Sequence, residues 1–115
     1  MTVAFEVGQL RVGSVAVLAV TGDVDMLTAV HLTAAIETAL ATAPTTVVVD
    51  LSKVEFLASA GMSALVAAHA DATPIRLAVV ADGAATSRPM RVVGLDKLLE
   101  IYPSLDAALS EIGDA

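Results

Sequence analysis

Val47–Ala68 reads VVVDLSKVEFLASAGMSALVAA, and the fold follows from this stretch. Thr46–Asp50 is a β-branched run of the kind found in strands covered on both faces. Helical spacing then begins at Ser59 and runs to about Ala70, where Thr73-Pro74 stops it. A buried strand passing through a tight connection into a helix is the first half of a parallel β-α-β unit. Ser59 opens that helix, where free N–H groups and the positive end of the macrodipole welcome an anion. A lone serine there is a poor nucleophile but a good place for a phosphate, which suggests a protein that is acted on rather than one that catalyses. The simpler reading makes Ser59 an N-cap, its hydroxyl accepting a first-turn N–H for about 1 kcal/mol. The two readings are compatible.

Toward the N-terminus, Val3–Val7 and Val15–Thr21 read as strands with Gly8 and Gly13 marking the turn between them. Gly22–Asp25 breaks the pattern, and a helix follows to about Ala41 with Ala29, Leu32, Ile36, Ala39 and Leu40 on one face. Beyond the central helix, Ile75–Ala81 is another buried strand. A weaker helix starts near Ser87, which keeps Pro89 in its first turn, and ends at a left-handed Gly94. A short strand around Glu100–Tyr102 precedes Ser104, the N-cap of a last helix to about Ile112. The order ββαβαβαβα predicts one α/β domain over residues 1–115: a mixed, mostly parallel sheet of four to five strands with an antiparallel N-terminal pair and about four helices.

Composition narrows the function. Of 115 residues 57% are hydrophobic and only 3% aromatic, so the core is aliphatic. No stretch approaches the roughly 18 continuous apolar residues of a membrane span, and the N-terminus lacks the basic, apolar pattern of a leader. There is no cysteine, and the net charge is −7 with only 6 scattered basic residues. That excludes a nucleic-acid footprint and gives no signal for a membrane, so a cytoplasmic protein with protein or small-molecule partners is expected. The chain has no GxSxG elbow, GxGxxG or GxxxxGK[ST] loop, and catalysis is not expected. His31 and His69 have no ligand-spaced partners, so no metal or cofactor is expected either.

On the central helix, Met62, Leu65 and Val66 read as the core stripe, with His69 at its edge. The opposite face presents Ala60, Ser63, Ala64, Ala67 and Asp71, a smooth surface for a partner if it is not simply alanine-rich helix. Asp23 and Asp25 lie between a strand and a helix. Turn and N-cap chemistry explains them best, and no further ligand pattern supports a cation. Asp50 and Ser52 read as loop hydrogen-bonders.

These segments resemble a known family, the anti-sigma factor antagonists, which are stand-alone STAS domains. The resemblance covers nearly the whole chain and rests on VAVLAVTGDVD (Val15–Asp25), VVVDLSKVEFLASAGMSAL (Val47–Leu65) and VVGLDKLLEIYPSLDAAL (Val92–Leu109). It implies a non-enzymatic regulator without a cofactor. When unphosphorylated, such a protein binds an anti-sigma factor that is also a serine kinase and so releases a sigma factor. Phosphorylation at the start of the central helix ends the binding, and a phosphatase resets it. By position in the motif the phosphoacceptor is Ser59, and Asp23, Asp25, Ala58, Ala60, Gly61, Ser63, Ala64 and Ala67 are the implied partner contacts. Ala58 and Ala60 stand where the family commonly carries aspartate and serine or threonine. A constitutive STAS scaffold, in a stress-signalling complex or as a transporter's accessory subunit, is the alternative.

Overall fold

The computed structural model describes residues 4–113. A single sheet in the order β1-β2-β3-β4-β5 forms its centre, with β1 (Glu6–Val12) antiparallel to β2 (Val15–Val24). β3 (Thr46–Leu57), β4 (Arg76–Val80) and β5 (Glu100–Tyr102) continue the sheet in parallel. The helices are α1 (Ala29–Ala41), α2 (Ser59–Ala72), α3 (Ser87–Val92) and α4 (Leu105–Ile112). The expected fold class and element order are those observed.

The period-2 alternation of the strands sorts their side chains into two cores. Ala16, Leu18, Val47, Val49, Leu77 and Val79 point to one face, where α1, α2 and Met90 of α3 cover them. Val15, Val17, Val48, Ala78 and Val80 point to the other, under Ala108 of α4. Val47, Val48 and Val49 are each 0% exposed, the double coverage that their unbroken β-branched run foretells. Ser104 caps α4 as expected, its hydroxyl accepting the Ala107 N–H at 3.0 Å. At the far edge of the sheet, the Arg76 guanidinium donates to both carboxylate oxygens of Glu100 and fastens the short β5. That bond is the main reason the Glu100 carboxyl lies below its ordinary pKa.

Three expectations need correction. The first strand is Glu6–Val12 rather than Val3–Val7, and Val3 itself lies outside the described residues. Gly8 pairs with Ala19 inside β1, and the reversal is made at Gly13-Ser14, between paired Val12 and Val15. Gly13 has φ 61°, the left-handed backbone that a two-residue hairpin loop requires. Second, Gly22–Val24 does not end β2, and Leu51–Leu57 is not a loop. Register shifts after Ala19 and after Gly22 let both strands run on together to the pair Val24↔Leu57. Asp50 and Ser52 therefore lie within β3, where Asp50 Oδ1 accepts the Ser52 N–H at 2.9 Å beside the first shift.

The third correction concerns which face of α2 is buried. Of the expected stripe only Leu65 is buried; Gly61, Ala68 and Ala72 join it in place of Met62 and Val66. Small residues let the helix lie close to the sheet. A Cβ on Gly61 would stand 2.6 Å from Val24 Cγ1 and 2.8 Å from Leu57 Cδ1. Met62 and Val66 are turned to the flank facing α3 and are only half-buried.

Candidate docking site at the start of the central helix

β2 and β3 end side by side, and the chain leaving each starts a helix on the same face of the sheet. The Ala58 N–H donates to the Val24 carbonyl at 2.8 Å, so the first turn of α2 is tied to the end of β2. Ala58 is the N-cap, with extended backbone and no side-chain cap. Ser59 is the first helical residue, its side chain exposed and bonded to nothing among the described residues. The simpler reading of Ser59 as a hydroxyl cap is thereby overturned.

Ser59, Ser63 and Ala67 are all exposed and lie at i, i+4 and i+8, a ridge of small side chains along α2. Ala60 and Ala64 turn toward α1 and, with Met26, Val30 and Thr33, line a trough of about 400 Å³. On the other side Ser59, Met62, Val66, Val93 and Leu95 line a second trough, of about 450 Å³. A third, of about 690 Å³, continues from Met62 past Phe56 to Pro89 and Val93. Gly61 is the exception among the expected partner contacts: its buried position packs the helix and leaves nothing to touch from outside.

The entry to α1 is held by a compact hydrogen-bond group. Asp25 Oδ1 accepts the Leu27 N–H at 2.9 Å and the Thr28 N–H at 3.0 Å. The Thr28 hydroxyl accepts the Asp25 N–H at 2.9 Å and donates to the Asp23 carbonyl at 2.8 Å. Asp25 thus performs the turn chemistry that its position suggests. The bond from the Thr28 backbone is the largest cause holding its carboxyl below the ordinary carboxylate pKa. A carboxyl whose pKa falls on folding adds stability above its unfolded-chain value and loses it as pH drops through the folded one. Asp25→Ala should therefore lower the melting temperature at pH 7, and the gap to the unsubstituted chain should close below about pH 4. Thermal melts across that range check this. Asp23 is half-buried, one place ahead of Val24 on the strand end that holds α2.

Several residues that this turn and its neighbours expose were not among the sequence-derived candidates. Met26 and Leu27 are each 76% exposed, Val30 64%, Phe56 53%, Val92 78% and Val93 60%. Met26 and Val30 stand on the α1 side of the ridge; Phe56, Val92 and Val93 stand on the α3 side. Large apolar side chains are common singly on a surface, but this many around one helix start form a patch of the kind that marks interaction sites. Two signals were present in the sequence. Val30 falls off the Ala29/Leu32/Ile36/Ala39 stripe, and Val92-Val93 ends a helix too short to bury both.

Of the histidines, His31 is exposed with its ring 6.3 Å from that of Phe5, and His69 keeps its Nδ1 buried without a partner. Among the described residues no three His, Asp or Glu side chains gather as metal ligands. None of their helices is long and apolar enough to cross a membrane.

The family model described as "Mlab, STAS domain" matches residues 7–100. The anti-sigma-F factor antagonist RsfB of Mycobacterium tuberculosis is 40% identical over 99 residues, 85% of this chain and 81% of that protein. The crystal structure of an anti-sigma factor antagonist from Mycobacterium paratuberculosis superposes with a TM-score of 0.90 at 39% identity, covering 95% of this chain and 94% of that one. The Bacillus cell fate determinant SpoIIAA in its phosphorylated form shares the fold, with a TM-score of 0.67 at 18% identity over 96% of this chain and all of that one.

Proposed function

Since the chain belongs to the STAS domain family, with anti-sigma factor antagonists among its relatives, we propose that it binds an anti-sigma factor and so frees a sigma factor. We further propose that phosphorylation of Ser59 switches this binding off, the kinase being the anti-sigma factor itself and a phosphatase resetting the site. The observation that carries the reading is the position of Ser59. Its free hydroxyl stands at the head of a small-residue ridge flanked by apolar troughs. With Ser59 neutral, the ridge and the exposed Met26, Val30 and Val93 supply area that a partner can cover at little desolvation cost. A phosphoserine there carries about −1.5 to −2 charge, which docking would strip of water. The helix N-terminus favours that charge within the free protein, so the phosphorylated form is stable alone and poor in complex.

Asp23 and Asp25 flank the patch, Asp25 shaping the turn that exposes Met26 and Leu27 and Asp23 offering a charge at its margin. Ala58 and Ala60 leave no carboxylate or second hydroxyl beside Ser59. This favours the second reading, a constitutive STAS scaffold or accessory subunit without a switch. The experiment is a transcription assay with purified sigma factor, RNA polymerase and the anti-sigma factors of the source organism. The chain should restore sigma-dependent transcription against one of these anti-sigma factors. If it relieves none of them, the reading is wrong and the scaffold takes its place.

A further inference from the structure

The trough between the end of β3 and α3 is lined by none of the expected partner contacts, and it combines two kinds of group. Its walls are Phe56, Leu57, Met62, Pro89, Val92 and Val93. Phe56, Val92 and Val93 come from two elements and are each more than half exposed. The trough continues past Met62 and Val93 into the one beside Ser59, so a partner on the ridge reaches it without a gap.

Arg88 stands where this apolar trough meets a smaller one of about 330 Å³ after β4, lining both, and Arg91 lines the second. The two lie at i, i+3 on α3, both exposed. Most cations elsewhere are occupied or isolated: Arg76 pairs with Glu100, Arg11 donates to Thr42, and Lys53 and Lys97 stand apart on β3 and after α3. Among the described residues the guanidinium groups of Arg88 and Arg91 have no bonded partner. Glu55 and Asp82 line the same troughs, yet neither forms an ion pair with them. In a chain of net charge −7 this is, among the described residues, the one place where two adjacent unpaired guanidinium groups border exposed apolar surface.

We infer that the docking surface is bipartite: beyond the Ser59 ridge, the Phe56–Val93 trough takes an apolar side chain of the anti-sigma factor, and Arg88 with Arg91 holds a carboxylate beside it. This rests on the reading proposed above. Guanidinium groups suit the role because they present paired donors to a carboxylate. On an otherwise acidic surface they also fix the orientation of docking, since an acidic partner edge is repelled elsewhere.

The test titrates the anti-sigma factor identified by the transcription assay with four forms of the chain: unsubstituted, Ser59→Asp, Arg88→Glu/Arg91→Glu and Phe56→Ala. Each is measured at low and high salt, with thermal melts alongside. The double charge reversal is expected to weaken binding by at least about tenfold at low salt. The deficit should shrink at high salt, where the Debye length falls to about 3 Å. Phe56→Ala should weaken binding about equally at both salt concentrations, and since all three side chains are exposed the melts should hardly move. If the unsubstituted chain binds and Ser59→Asp does not, while both α3-side variants bind like the unsubstituted chain, the inference is overturned and the Ser59 reading survives. If Ser59→Asp binds like the unsubstituted chain, the Ser59 reading fails, whatever the α3-side variants show for the inference.

Discussion

Ser59→Asp is expected to weaken binding to the anti-sigma factor by about 2–5 kcal/mol, roughly 30- to 5,000-fold. The magnitude comes from leaving one carboxylate unpaired within a desolvated interface. The side chain at 59 heads the ridge, and the groups around it are Met62, Ser63, Val66, Ala67 and Val93, none of them a cation. Arg88 and Arg91 line the other troughs, so among the described residues no cationic side chain lines the trough beside it to pair with the charge once water is excluded. Ser59→Ala should bind within about fivefold of the unsubstituted chain, because it removes at most one hydrogen bond of about 1 kcal/mol. Isothermal titration of the three forms separates the two effects. Since the Ser59 hydroxyl caps nothing, both variants should melt within about 0.5 kcal/mol of the parent, the range of ordinary surface changes. A lost complex then reports on docking and not on folding.

The largest effect on stability is expected at Gly22, which sits in β2 with φ +87°. A Cβ there would lie 2.8 Å from Phe5 Cα and 2.9 Å from Phe5 N, backbone atoms that no side-chain rotation can move aside. Gly22→Ala combines about 1–3 kcal/mol of backbone strain with about 1–3 kcal/mol of overpacking, a loss of about 2–6 kcal/mol in all. Gly94 isolates the first part, having φ +82° with nothing within 4 Å of its missing Cβ. Gly94→Ala should therefore cost only the strain, and the difference between the two variants measures the clash. Urea unfolding of both gives that difference directly. Gly22 matters to the site because Val24, two residues on, holds Ala58 and faces Gly61. A displaced β2 end would move the first turn of α2.

The order of elements was legible because each strand and helix of this chain carries its own local signal. The valine runs, the Pro74 stop, the Gly94 terminus and the Ser104 cap all act within a few residues. The strand ends were not legible, since β2 and β3 outlast their alternation. Two register shifts absorb Gly22, Asp50 and Ser52, and only pairing with the neighbouring strand reveals them. The face of α2 was misread because periodicity weighs Met62 and Val66 as core by hydrophobicity. Close packing of helix on sheet instead selects the small residues Gly61, Ala68 and Ala72. In the candidate site, Ser59 and the ridge were visible as one segment. The exposed Met26, Leu27, Val30, Phe56, Val92 and Val93 come from separate elements, and only the tertiary structure gathers them around it.

The central claim is that one serine decides between docking and release. It is tested most directly by incubating the purified chain with its anti-sigma factor and ATP, then following intact mass, phosphosite and complex together. The expected result is a single phosphate on Ser59, no modification of Ser59→Ala, and dissociation in step with the mass change. A chain that stays unmodified, takes its phosphate at Ser63, or remains bound with Ser59 phosphorylated would contradict it.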